Sequence, residues 1–124
     1  QACAKRFAES GSHLILCARR EERLAKLADE LKQLFKIKVH YFPLDVRNYH
    51  EVTQAIQSLP KEYQNIDILV NNAGLASCLA DFQDCQMEDF EVMIDTNFKG
   101  LIYLTKAIIP NMIARNHGHI INIG

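Results

Sequence analysis

No apolar run in this chain approaches the roughly 20 residues that a membrane-crossing helix needs. The longest, at 101–109, contains Lys106 and is closed by Pro110. Long stretches of one charge are also missing: Arg19, Arg20, Glu21, Glu22 and Arg23 mix signs, and 14 basic against 15 acidic residues leave a net charge of -1. No basic stripe could follow a phosphate backbone, so neither nucleic acid nor a membrane is an expected partner. The four cysteines, Cys3, Cys17, Cys78 and Cys85, show neither CxxC spacing nor the density of a secreted disulfide scaffold, and the expectation is reduced thiols in a cytosolic protein. His117 and His119 could start a zinc site with a cysteine, but a second ligand pair is missing and no metal is expected. The first residues, Gln1 to Arg6, do not lead into the apolar core of a secretory leader. Repeats, low-complexity tracts and a linker that would divide domains are likewise not seen.

What is present is a regular alternation. The 124 residues, 48% of them hydrophobic, suit one ordinary globular domain with a core of its own. The chain begins already in helical periodicity, with Ala4, Phe7 and Ala8 on one side and Gly11 as a stop. Residues 13–17 form a short apolar run of the kind expected for a strand buried on both faces. From 21 to 35, Leu24, Leu27, Leu31 and Leu34 recur at helical spacing between charges. A second strand is expected at 39–42, and then Asn48 with Glu51 resembles a helix-starting box for Val52, Ala55, Ile56 and Leu59, ended by Pro60. A third strand at 67–70 runs into Asn71-Asn72-Ala73-Gly74. Helical signal from 87 to about 114 is interrupted near 96–100, and a fourth strand follows at 118–124. Apolar strands alternating with helices imply an α/β fold with parallel pairing and helices on both faces.

In such a sheet ligands bind beyond the carboxyl ends of the strands. An acidic residue at the end of the second strand of a dinucleotide fold would favour NAD by accepting from the adenosine ribose; here Ala18 is followed by Arg19 and Arg20, which in that place would pair with a 2′-phosphate and favour NADP. By themselves the two arginines read more readily as solvated charges opening a helix, although the helix dipole is mildly unfavourable to cations there. Asn71 to Gly74 is more informative: the small residues Ala73 and Gly74 let a ligand approach the main chain, and Asn side chains can satisfy exposed backbone groups. An ordinary Asn/Gly turn is the plainer alternative. Asp95-Thr96-Asn97 is a polar break in an apolar helical pattern, which predicts a local distortion of the helix.

Taken in order, these segments resemble the short-chain dehydrogenase/reductase family across essentially the whole chain. The stretches 65–76, 93–97 and 115–124 are most similar to its NADP-dependent 3-hydroxy acid dehydrogenases, a subgroup that oxidises serine, allo-threonine and related 3-hydroxy acids or reduces the matching carbonyls. The resemblance implies a Rossmann-type, doubly wound parallel sheet in three αβα layers, and a homo-oligomer, tetramer or dimer, when complete. By position, Arg19 and Arg20 would bind the 2′-phosphate of NADP, and Asp45 and Val46 would contact the adenine. Asn72, Ala73 and Gly74 would line the ribose side of the cleft. Asn97 would be the catalytic Asn that positions a water in the proton relay.

The family's Gly-rich turn, its first strand, its catalytic Ser and its Tyr-x-x-x-Lys pair have no counterpart in residues 1–124. The expectation is therefore an internal segment of a single Rossmann-type domain, lacking the first strand and the C-terminal part and catalytically incomplete as it stands. In the family's strand order, 3-2-1-4-5, the first strand would lie between this chain's first and third strands. Without it, the reading expects two sheet halves with unpaired edges and no stable native monomer for the segment alone. The competing reading is a truncated member that kept a binding or oligomerisation module without catalysis, for which the apolar helix through 101–113 would serve.

Overall fold

The computed structural model describes all residues, Gln1–Gly124, in two compact units, Gln1–Asp45 and Val46–Gly124. The first contains α1 (Ala2–Glu9), β1 (Leu14–Ala18), α2 (Glu21–Phe35) and β2 (Val39–Pro43). β1 and β2 pair in parallel, Leu14 opposite Val39 through Ala18 opposite Pro43. Gly11 takes φ +82 after α1, a conformation that strains any residue with a Cβ. Lys36 closes α2 in the left-handed region, where its N–H bonds the Lys32 carbonyl.

The core of this unit is Ala8, Ala28, Leu31, Ile37 and Val39, with Ala4, Leu14, Leu16, Leu27, Phe35 and Tyr41 packed around it. α2 has the expected bounds, but Leu34 is 59% exposed. At about 100° per residue the stripe centres on Leu24, Ala28, Leu31 and Phe35, and Leu34 falls roughly 80° to its side. Ala28, fully buried, completes the face instead.

The second unit contains α3 (Tyr49–Gln57), β3 (Ile68–Asn71), α4 (Met87–Ile94), α5 (Gly100–Arg115) and β4 (His119–Asn122). Short 3-10 turns occupy Lys61–Tyr63 and Phe82–Asp84. Asn48 caps α3, its side chain accepting from the Glu51 N–H at 3.2 Å. The helix ends at Gln57, two residues before Leu59, which is nevertheless buried. β3 and β4 pair in parallel from Ile68 opposite His119 to Asn71 opposite Asn122. α5 packs on α3 and β3, with Leu104, Ile108 and Met112 buried at turn spacing. Gly118 lies under Met112, where a Cβ would come within 2.5 Å of its sulfur.

The amino end of this pair of strands is latched by Arg115. Its guanidinium donates to Asp67 at 2.9 Å and to the Ile66 carbonyl at 2.7 Å.

Both pairings are parallel, as the alternation predicts, and the strands fall into the two pairs β1-β2 and β3-β4. The expectation of strands buried on both faces is not met: β1 is half-buried along four of its five residues, and Ile68 in β3 is 43% exposed. The reason is that every strand here has one partner, so each keeps an open edge.

The cysteine expectation also needs correction. Cys78 and Cys85 are joined in a disulfide, while Cys3 and Cys17 are free. Neither a CxxC motif nor a dense framework is involved: the chain reverses through the Phe82–Asp84 turn and brings the two Cα atoms to 5.9 Å, inside the range a disulfide spans.

Candidate functional site

In the first unit, β1 delivers its last residue, Ala18, directly to Arg19 and Arg20, both exposed. Arg20 has extended backbone and is the residue from which α2 departs. The two arginines therefore come immediately before the unsatisfied N–H groups that open a 15-residue helix, a place in the chain that suits an anion. Asp45 follows β2 and is half-buried; the Leu44 N–H before it bonds the Ala18 carbonyl at 2.9 Å. Cys17, within β1, is changed by its surroundings: burial pushes its thiol up to about 11.

In the second unit the centre is the break between α4 and α5. Asp95–Lys99 forms a π turn, so the distortion predicted at Asp95-Thr96-Asn97 is present. A π turn inserts one extra residue into the helical ladder and re-aims the side chains around it. Asn97 is turned towards the segment after β3, where its Oδ1 accepts from the Leu75 N–H at 2.8 Å and its Nδ2 donates to the Leu75 carbonyl at 3.0 Å. This is a two-point clamp on one residue, gripping the peptide groups on either side of the Leu75 Cα. Asp95 pairs with Lys99 at 2.9 Å across the same turn, and its hydrogen bond and charge hold the Lys99 ammonium above its ordinary pKa.

Asn71, the last residue of β3, is 6% exposed. Its Nδ2 donates to Thr105 Oγ1 at 3.1 Å and to Asn122 Oδ1 at 2.9 Å, tying β3 to α5 and β4. Its Oδ1 is buried without a partner, as is Thr96 Oγ1. A small cavity of about 20 Å³ lies beside it, lined by Asn71 and Ala73, by Asn97 and Gly100, and by Leu104 and Ile123. That is room for roughly one water. A Cβ on Gly100 would come within 2.5 Å of Val46 Cγ2, so the start of α5 is seated on Val46.

Of the residues singled out by sequence, Asn71, Ala73 and Asn97 meet at this cavity. Val46 is buried, its side chain occupied by Gly100 and not open to a ligand. Asn72 and Gly74 are exposed, and around Gly74 the space that a side chain would fill is open. Sequence reasoning did not give Asn71, Thr105, Asn122 and Gly100 their parts. The one signal was positional, because Asn71 ends an apolar strand, where a buried amide has to find partners.

The chain is similar to known proteins along its whole length. A family model described as short chain dehydrogenase matches residues 1–124. The NADP-dependent 3-hydroxy acid dehydrogenase of Escherichia coli is 48% identical over 124 residues, which is the whole of this chain and 48% of that protein. Sulfoacetaldehyde reductase 2 of Chromohalobacter salexigens is 46% identical over 125 residues, covering the whole of this chain and 49% of that protein. Among solved structures, the closed form of serine dehydrogenase complexed with NADP+ is 50% identical with a TM-score of 0.88, over 98% of this chain and 47% of the other. The chain thus spans about half the length of the curated relatives it matches. With an α/β fold of parallel strands and a family match over its full extent, the chain belongs to the short-chain dehydrogenase family.

Proposed function

We propose that residues 1–124 are a segment of one Rossmann-type dinucleotide-binding domain in an NADP-dependent oxidoreductase. That enzyme moves hydride between NADP(H) and a 3-hydroxy acid such as serine or allo-threonine, or the matching carbonyl. The observation that carries the cofactor assignment is the pair of exposed guanidinium groups, Arg19 and Arg20, between β1 and the amino end of α2. Their planar donor sets suit a phosphate monoester, which a ribose hydroxyl cannot replace. The relatives whose names include NADP support the same reading.

The residues fit such a cofactor on further grounds. The open space around Gly74 leaves its main chain approachable, with Asn72 and Ala73 exposed beside it as the ribose-facing segment. Asp45 and Val46 are the adenine-side residues of this proposal. With its side chain packed on Gly100, Val46 contributes its main chain and a fixed position. When bound, the nicotinamide supplies the hydride chemistry. What this chain adds near the reaction is placement. Asn97 fixes Leu75 through both of its polar side-chain atoms, so a water beside it is held by main-chain groups that the π turn releases from regular helical bonding. In this role Asn97 positions the proton relay of the reaction and keeps the cleft wall in place. The exposed Phe98, Ile102 and Ile113 on and beside α5 favour a homo-oligomer, dimer or tetramer, in which those side chains are covered.

The test is steady-state kinetics of the full-length protein with L-serine and L-allo-threonine, NADP against NAD. Two charge-assisted hydrogen bonds at about 1.5 kcal/mol each predict a preference for NADP on the order of a hundredfold in kcat/KM. Equal use of both cofactors would count against the reading. Strong NADP preference with neither amino acid turned over would keep the cofactor and discard the substrate.

A further inference from the structure

The segment between β3 and α4 is held at several points before its cysteines meet. Asn97 clamps Leu75, Ser77 Oγ donates to the Asp89 carbonyl at 2.8 Å, and the Gln86 N–H donates to the Asp89 carboxylate at 3.2 Å. The Phe82 ring stacks against Phe90 at 5.0 Å. These contacts leave residues 78–85 as a short excursion, in which Leu79 is 94% exposed and Phe82, though its ring meets Phe90, is 79% exposed. Cys78 and Cys85 close its base, their Cα atoms 5.9 Å apart. Both are half-buried, within reach of a small thiol reagent.

We infer that Cys78 and Cys85 form a reversible dithiol–disulfide pair whose closure fixes the segment bordering the Asn71–Asn97 cavity and whose opening loosens it. Closure by a low-molecular-weight disulfide balances in two exchanges. A thiolate of the pair attacks one sulfur of the small disulfide and expels a small thiol. The second cysteine, losing its proton, attacks the mixed disulfide and expels another. Two electrons pass to the small disulfide and two protons leave the protein thiols. The other two cysteines do not compete: Cys17 sits in β1, where burial keeps it protonated, and Cys3 lies in α1 of the other unit. The consequence is carried towards the cavity by Leu75, the residue that Asn97 grips three positions before Cys78. An effect on turnover rests on the oxidoreductase reading above; the thiol chemistry and the loosening of the segment do not.

The experiment equilibrates the full-length protein in buffers of oxidised and reduced small thiol, alkylates it and digests it with trypsin. Cys78 and Cys85 share the peptide 62–99, which has no internal Lys or Arg. On the oxidising side this peptide should be lighter by two hydrogens and carry no alkyl group; on the reducing side it should carry two. Brief chymotrypsin treatment of the native protein reads the segment itself, at Phe82. Cleavage should be severalfold faster in the reduced form, and a Cys78→Ser/Cys85→Ser variant should be cut at that faster rate in both buffers. Two alkylated cysteines in every buffer, a stable mixed disulfide, or equal cleavage of both forms would overturn the inference. If the protein also turns over a hydroxy acid with NADP, KM for that acid should differ between the two forms. Should it turn over no hydroxy acid, the peptide mass and the cleavage rate decide the matter unaided.

Discussion

Gln1–Asp45 and Val46–Gly124 each pair two parallel strands against helices, yet they bury different kinds of group. The first encloses alanine, leucine, isoleucine and valine and leaves its guanidinium groups in solvent. The second encloses Asn71 and Thr96 beside its leucines, breaks a helix with a π turn and ties a loop with a disulfide. On the proposed reading the difference matches two tasks. A unit that is to meet a phosphate through charge needs a firm apolar base and free side chains. A unit that shapes a small cavity has to fix polar atoms in place, at the cost of one buried amide oxygen and one buried hydroxyl left without partners.

If this contrast holds, the largest stability loss comes from the apolar side. Leu31→Ala removes a fully buried side chain in the first unit and should cost about 2–5 kcal/mol in denaturant unfolding of the full-length protein. A loss under about 1 kcal/mol would mean that this core is not what holds the unit. On the polar side, Asn71→Ala breaks the bonds to Thr105 and Asn122 and should cost roughly 1–3 kcal/mol. Thr105→Val in the same background should add little, because its partner is already gone. Additive losses would show that the two do not act together.

The smallest effect is a pH slope. Cys17 keeps its proton in the fold up to about 11 against an ordinary 9.0, so the native state binds more protons than the unfolded chain between those values. The stabilisation is complete below pH 9 and is lost as pH rises towards 11. It should amount to roughly 1–2 kcal/mol, since 1.36 kcal/mol per pKa unit is reduced by the solvent that reaches a half-buried strand. Cys17→Ala should remove this part of the alkaline slope; an unchanged slope would assign it to other groups.

Much of this was legible in the sequence because it is local. The charges of α2 interrupt a leucine stripe and mark its bounds at Glu21 and Phe35, and Asp95-Thr96-Asn97 in an apolar helix announces the π turn. Arg19 and Arg20 stand out because a strand ends just before them. The polar network was hidden, since the partners of Asn71 lie 34 and 51 residues away and nothing near it in sequence names them. The Cys78–Cys85 bond was hidden for another reason. A separation of seven residues permits a disulfide without requiring one, and the 3-10 turn between them decides it. Leu34 was misjudged by its spacing, because the helical stripe drifts away from it before α2 ends.

The central claim is that two arginines at the end of β1 choose the cofactor. Its most direct measurement is the affinity of the full-length protein for adenosine 2′,5′-bisphosphate and for 5′-AMP, by calorimetry, before and after Arg19→Ala/Arg20→Ala. The bisphosphate should bind the unaltered protein at least about tenfold more tightly, and the double substitution should bring the two ligands together, because about 1.4 kcal/mol of charge-assisted hydrogen bonding is a factor of ten. A preference for the bisphosphate that survives the loss of both guanidinium groups would contradict the account.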